Sequence, residues 1–234
     1  MRIAFLIITS LLMLVNMYLI FMWVPTEQNL GISQRIFYVH VPVAWVGMVA
    51  IFVVAIGSVL HLITRNDRWD AIAYSAAEIG LIFGTLMLVT GALWAKPAWG
   101  VWWQWDPKLT TALILWFIYV GYLMVRAYAP SGSQGRRYAS VVALIGAIDA
   151  PIIYMASVWW RTAHPDLNIG PLAESSLDTN MLMVWLYSTV AFTVFYVYLL
   201  IERISMRKAE DDIDEVYQYA NLSLIHISEP TRLG

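Results

Sequence analysis

The chain has 234 residues, 60% hydrophobic and 13% charged, with a formal net charge of −2. Soluble domains carry about 25% charged residues, and a chain this short has too little interior to hide the excess apolar surface. Its solvent is therefore a bilayer, and it has no basic field for nucleic acid. Cysteine is absent, which excludes disulfides, zinc fingers, iron–sulfur clusters, thiolate haem ligation and thiol catalysis. His40, His61, His164 and His226 remain as the first candidates for a metal ligand, with methionine or carboxylate behind them.

A bilayer-crossing helix needs about 20 apolar residues, and six stretches qualify. The first predicted span, Ile3–Val24, stops at Pro25; it is too long for a secretory signal and lacks a small-residue cleavage site. The second, Val41–Ile63, carries Pro42 in its first turn, where a missing N–H does no harm. Ala71–Trp94, Leu109–Tyr128, Ala139–Val158 and Met181–Ile201 follow. The predicted fold is an all-α integral membrane protein of six transmembrane helices with short loops, and residues 1–205 form one membrane domain. Glu210–Glu215 makes residues 206–221 an acidic, solvated tail. From Leu222 the ending LSLIHISEPTRLG fits neither pattern. Residues 222–234 read as a non-native extension, which removes His226 from functional consideration.

Basic residues set the orientation. Arg2, Arg65, Arg68, Arg126, Arg136, Arg137, Arg203, Arg207 and Lys208 collect on one side, against Arg35, Lys96, Lys108 and Arg161 on the other. Both termini are therefore expected in the cytoplasm, with the Thr26–Val39, Ala95–Lys108 and Trp159–Asn180 loops outside.

The second of these loops reads WAKPAWGVWWQWDPKLT. It holds Trp94, Trp99, Trp102, Trp103 and Trp105, far more indole than an interfacial belt needs. Positions 99, 102 and 103 have helical i, i+3, i+4 spacing and predict one flat apolar face, with Gly100 allowing close approach beside it. Such a slab suits a large planar hydrophobic ligand at the outer membrane surface. Asp106-Pro107 is a standard helix opening, Asp at the N-cap and Pro at N1. Capping alone explains it, and would also fix the tryptophan loop to the fourth span.

His40 (in RIFYVHVP) and His164 (in WWRTAHPD) flank this loop on the same side. A lone interfacial histidine is usually a hydrogen-bonding residue. Two beside an indole slab suit a porphyrin iron, which takes a neutral imidazole on each face. Arg35, Lys108 and Arg161 lie close by in sequence, where propionates would want cations. His61, 21 residues beyond His40 on the same helix, is roughly 30 Å away and reads as a cytoplasmic interfacial residue. Glu78 and Asp149 fall inside spans, where an ionisable group costs several kcal/mol unless paired, wet or protonated. They support an alternative reading as a proton- or ion-coupled transporter, while Pro151 beside Asp149 offers a structural explanation instead. A cytochrome b-type electron carrier fits least, because no predicted span has an interior histidine.

WGVWWQWDPKLT resembles the tryptophan-rich WWD signature of haem-handling membrane proteins in cytochrome c biogenesis. Six spans, the KLT continuation, RIFYVHVP and PIIYMASVWWRTAHP are similar to the haem exporter protein C (CcmC) family, over about residues 1 to 205. The resemblance implies a binding and delivery protein of the bacterial inner membrane, not an enzyme. It implies that haem b is cargo held on the periplasmic side and handed to the chaperone CcmE, with CcmD, CcmA and CcmB as further partners. His40 and His164 match the axial-ligand positions. Trp94, Trp99, Trp102, Trp103, Trp105 and Asp106 match the platform, and Arg35 and Lys108 match basic positions around it. Lys108 stands where some relatives carry arginine, keeping the charge but losing the bidentate fork.

Overall fold

The computed structural model describes residues 2–129, 132–160, 162, 164 and 178–228, apart from the side chains of 214, 215, 218, 219 and 221–228. Six helices among them are long and apolar enough to cross a membrane. They are α1 (Arg2–Tyr18, continued by a π-helical turn Leu19–Trp23), α2 (Phe37–Thr64), α3 (Asp67–Trp99), α4 (Pro107–Tyr128), α5 (Ser133–Trp159) and α6 (Thr179–Ser228). A 3₁₀ turn, Ile32–Ile36, leads into α2.

The helices outrun the apolar stretches that predict them, because helix continues through the polar ends of each span. Three boundaries bear on the site. α2 starts at Phe37, so Pro42 lies in its second turn rather than its first. α3 passes through Pro97 and stops at Trp99, where Gly100 adopts φ 78°. The expected loop from Ala95 thus shrinks to residues 100–106, and Trp94 and Trp99 are helical. α6 runs for 50 residues, about 75 Å at 1.5 Å per residue, and carries the acidic run on the same helix.

α2 sits at the centre, packed against α3, α5 and α6, while α4 pairs with α5 and α1 with α6. Small residues let the α2–α3 hairpin close, as is usual where lipid supplies no hydrophobic drive. A Cβ on Gly80 would stand 2.9 Å from the Ala50 methyl, and one on Gly57 would stand 3.0 Å from the Trp69 carbonyl oxygen. Side-chain hydrogen bonds join other helices: Ser188 to Asn16 at 2.7 Å, Trp116 to Thr85 at 2.8 Å and Trp45 to Thr193 at 3.2 Å. Outward faces such as Leu11, Leu14, Phe52 and Phe117 stay exposed and apolar, as a lipid-facing surface must.

The two ends of the bundle differ in chemistry. At one end Arg126 and Asp70 form a buried ion pair at 2.7 Å, and Arg203 meets Glu78 at 2.7 Å. The guanidinium groups of Arg126, Arg203 and Arg207 all lie within 5.6 Å of the Tyr74 ring centroid. Arg207 pairs further with Glu210 and Asp211, joining the acidic run to this cluster. His61 belongs to this end as well, in the last turn of α2, and is buried at 2% exposure. Its Nδ1 lies 3.3 Å from the Asn66 carbonyl, in the turn that closes α2.

Candidate functional site

The tryptophan end is built on the last three turns of α3. His40, one residue before α2's second turn, points into that surface and is 8% exposed. Its Nδ1 is 3.0 Å from Thr90 Oγ1. Its ring centroid is 6.0 Å from Trp94, which also packs at 5.8 Å against Phe37. Gly91 completes the cradle: a Cβ there would stand 3.0 Å from His40 Cε1, tighter than ordinary contact, so the glycine gives the imidazole its room. The Trp94 indole N–H and the Tyr38 hydroxyl beside it are buried with no hydrogen-bond partner among the described residues.

His164 arrives from the segment after α5 and rests on Trp99, with ring centroids 6.3 Å apart. Asp106 fixes its approach. One carboxylate oxygen of Asp106 accepts the Leu109 N–H at 2.9 Å, the expected N-cap, with Pro107 at N1. The other accepts from the Thr162 hydroxyl at 2.7 Å, and Thr162 Oγ1 in turn accepts the His164 N–H at 3.1 Å. The residue that opens α4 thus also holds the segment that carries the histidine. The two imidazoles share one end of the bundle, each against a tryptophan of the last turns of α3.

The single flat slab expected from the spacing of 99, 102 and 103 does not form. α3 ends at Trp99 and the chain beyond is not helical, so helical spacing has no meaning across Gly100. The indoles divide into two groups. Trp94 and Trp99 lie beneath the imidazoles. Trp103 and Trp105 pack edge to face at 5.8 Å and wall an apolar cleft of about 370 Å³ between α3 and α4, with Leu88, Val89, Ala92 and Leu113. Trp102 is exposed and lies 5.9 Å from the Lys96 ammonium, which also donates to the Gly100 carbonyl at 2.8 Å.

Among the basic candidates, Arg35 donates from Nη1 to the Phe21 carbonyl at 2.6 Å, tying the π-helical turn of the first span to the entrance of α2. Its Nε is buried without a partner among the described residues. Lys108 is half-buried in the first turn of α4. Arg161 lies outside the described residues. Glu78 finds its structural reason in Arg203, at the opposite end from the histidines. Asp149 is 9% exposed, and one of its carboxylate oxygens is buried without a partner among the described residues. Sequence reading missed Thr90, Gly91 and Thr162. They are small residues whose importance lies in what they touch across helices, and no spacing signal reveals that.

Among the described residues, no three His, Cys, Asp or Glu side chains gather to hold a bare metal ion.

A family model described as Heme exporter protein C (CcmC) matches residues 1–216. The chain belongs to this family. It is similar to the Heme exporter protein C of Bradyrhizobium diazoefficiens, with 38% identity over 75% of this chain and 66% of that protein. The Haemophilus influenzae Heme exporter protein C is 34% identical over 80% of this chain and 76% of its own length. A putative cytochrome c biosynthesis ccmC-like mitochondrial protein of Marchantia polymorpha is 35% identical over 77% of each chain. The chain thus spans just under two thirds of the Bradyrhizobium relative and about three quarters of the other two. The family is a membrane haem-handling component and not an enzyme.

Proposed function

We propose that this protein binds haem b as cargo at the tryptophan end of the bundle and delivers it for c-type cytochrome biogenesis. One observation carries the reading: His40 from α2 and His164 from beyond α5 meet two tryptophans on the last turns of a single helix. Neutral imidazoles ligate iron without burying charge. Trp94 and Trp99 supply apolar faces for the macrocycle, and Trp102, Trp103 and Trp105 form the rim. Asp106 positions the loop, while Arg35 and Lys108 receive the propionates.

The bias of basic residues supports a cytoplasmic location for both termini, and hence a haem site on the periplasmic side of a bacterial inner membrane. A site at the membrane surface leaves an edge of the porphyrin open. That geometry supports transfer to a soluble-side chaperone of the CcmE type, with CcmD and the CcmA–CcmB pair as the surrounding machinery. The cargo supplies the iron; the chain's own residues clamp, shield and orient it. Detergent-purified protein loaded with haem is expected to give a bis-histidine visible spectrum. Normal haem retention in a His40→Ala/His164→Ala double variant would reject the site.

A further inference from the structure

Thr90 stands one turn before Trp94 on α3, facing the imidazole of His40. Its hydroxyl oxygen lies 2.7 Å from the Leu86 carbonyl and 3.3 Å from the Met87 carbonyl, as well as 3.0 Å from His40 Nδ1. A hydroxyl has one hydrogen and two lone pairs. Carbonyl oxygens can only accept, so the Thr90 hydrogen is spent on its own helix, on Leu86 at the shorter distance. What remains for His40 is a lone pair, and a lone pair asks Nδ1 to carry a hydrogen. Nε2, by contrast, has no hydrogen-bond partner among the described residues.

We infer that Thr90 is a positioning residue that selects the Nδ1–H tautomer of His40 and so presents the Nε2 lone pair to the cargo's iron. In the other tautomer Nε2 would carry the hydrogen and could not ligate. Gly91 works with it. A Cβ there would come within 3.0 Å of Cε1, 3.6 Å of Nδ1 and 3.9 Å of Nε2, so the bare glycine lets the ring lie close enough for the Thr90 contact. The threonine is thereby the partner that metal-ligating histidines usually find in a carboxylate or a backbone carbonyl, here without burying a charge in the membrane.

The iron-ligating half of this inference rests on the haem reading; the tautomer half does not, and the test separates them. Nitrogen-15 histidine NMR of the haem-free protein in detergent, with the His40 signals assigned through His40→Gln, reads the tautomer directly. The expected result is Nδ1–H in the wild type and in Thr90→Ser, with Nε2–H or a mixture in Thr90→Val. Haemin titration of the same three proteins is expected to give wild-type affinity for Thr90→Ser and a loss of about 10- to 100-fold for Thr90→Val. An Nε2–H His40 in the wild type overturns the inference without any variant having to fold. Equal haem affinity in Thr90→Val and wild type overturns it as well, while leaving the haem site standing. If the wild type shows no histidine-ligated haem at all, the haem reading fails, and the ligand role of Thr90 with it.

Discussion

Removing the link between Asp106 and the His164 segment tests how the site is assembled. Thr162→Val deletes the hydroxyl that donates to Asp106 at 2.7 Å and accepts the His164 N–H at 3.1 Å, and leaves the helix cap untouched. Asp106→Ala deletes the same link and also the cap on Leu109, which contributes about 0.5–2 kcal/mol to stability. A hydrogen bond to a charged group contributes about 1.5–3 kcal/mol. At this half-buried site solvent weakens the bond, and about 1–2 kcal/mol, around the bottom of that range, is the appropriate bound. Without the link the His164 segment samples arrangements in which the imidazole is off Trp99, and apparent haem affinity falls with the fraction that remains competent. A shift of 1–2 kcal/mol is a factor of about 5–30. Haem titrations of the wild type, both single variants and the double variant close the cycle. Each single change is expected to weaken binding up to about 30-fold, and the double variant to be no weaker than Asp106→Ala alone. Losses that simply add, or a Thr162→Val protein that binds like wild type, would refute the link.

Three further outcomes follow from the packing. Breaking the Arg126–Asp70 pair, whose side chains are 7% and 4% exposed, with Asp70→Ala is expected to cost about 3–5 kcal/mol. A Leu/Met replacement of both partners should recover most of it, read as thermal aggregation in detergent; equal melting of the single variant and wild type would contradict the buried pair. Trp94→Ala and Trp99→Ala should disturb the haem ligand field, because those rings touch the histidines. Trp105→Ala, at a ring 76% exposed and packed on Trp103, should weaken binding while leaving the ligation spectrum unchanged; a change of spin state there would place the iron over the wrong indoles. Glu78→Gln should leave haem binding intact and reveal no proton flux in liposomes, since Arg203 already answers that carboxylate. Flux in the wild type that the variant abolishes would revive the transporter reading.

Much of this architecture is legible in the sequence because the bilayer imposes a simple rule: long apolar stretches become helices. The six spans, the Asp106-Pro107 helix opening and the placement of both histidines at one end all follow from local pattern. The indole arrangement did not follow. Pro97 invites an early end to α3, yet near a C-terminus it removes only one helical bond, and the helix runs on to Gly100. That extra turn and a half adds Trp99 to the helix that carries Trp94 and leaves the remaining three indoles on the non-helical chain beyond it. The supporting residues were equally hidden. Thr90, Gly91 and Thr162 acquire meaning only when α2, α3 and the segment after α5 come together. Glu78 and Arg203 are 125 residues apart, so the partner of an apparently stranded carboxylate could not be read from spacing.

The claim that His40 and His164 hold one iron between them is tested most directly by electron paramagnetic resonance of the ferric haem complex. Wild-type protein is expected to be low-spin and six-coordinate, and His40→Ala and His164→Ala should each turn it high-spin. A low-spin signal that survives in either single variant would contradict the account.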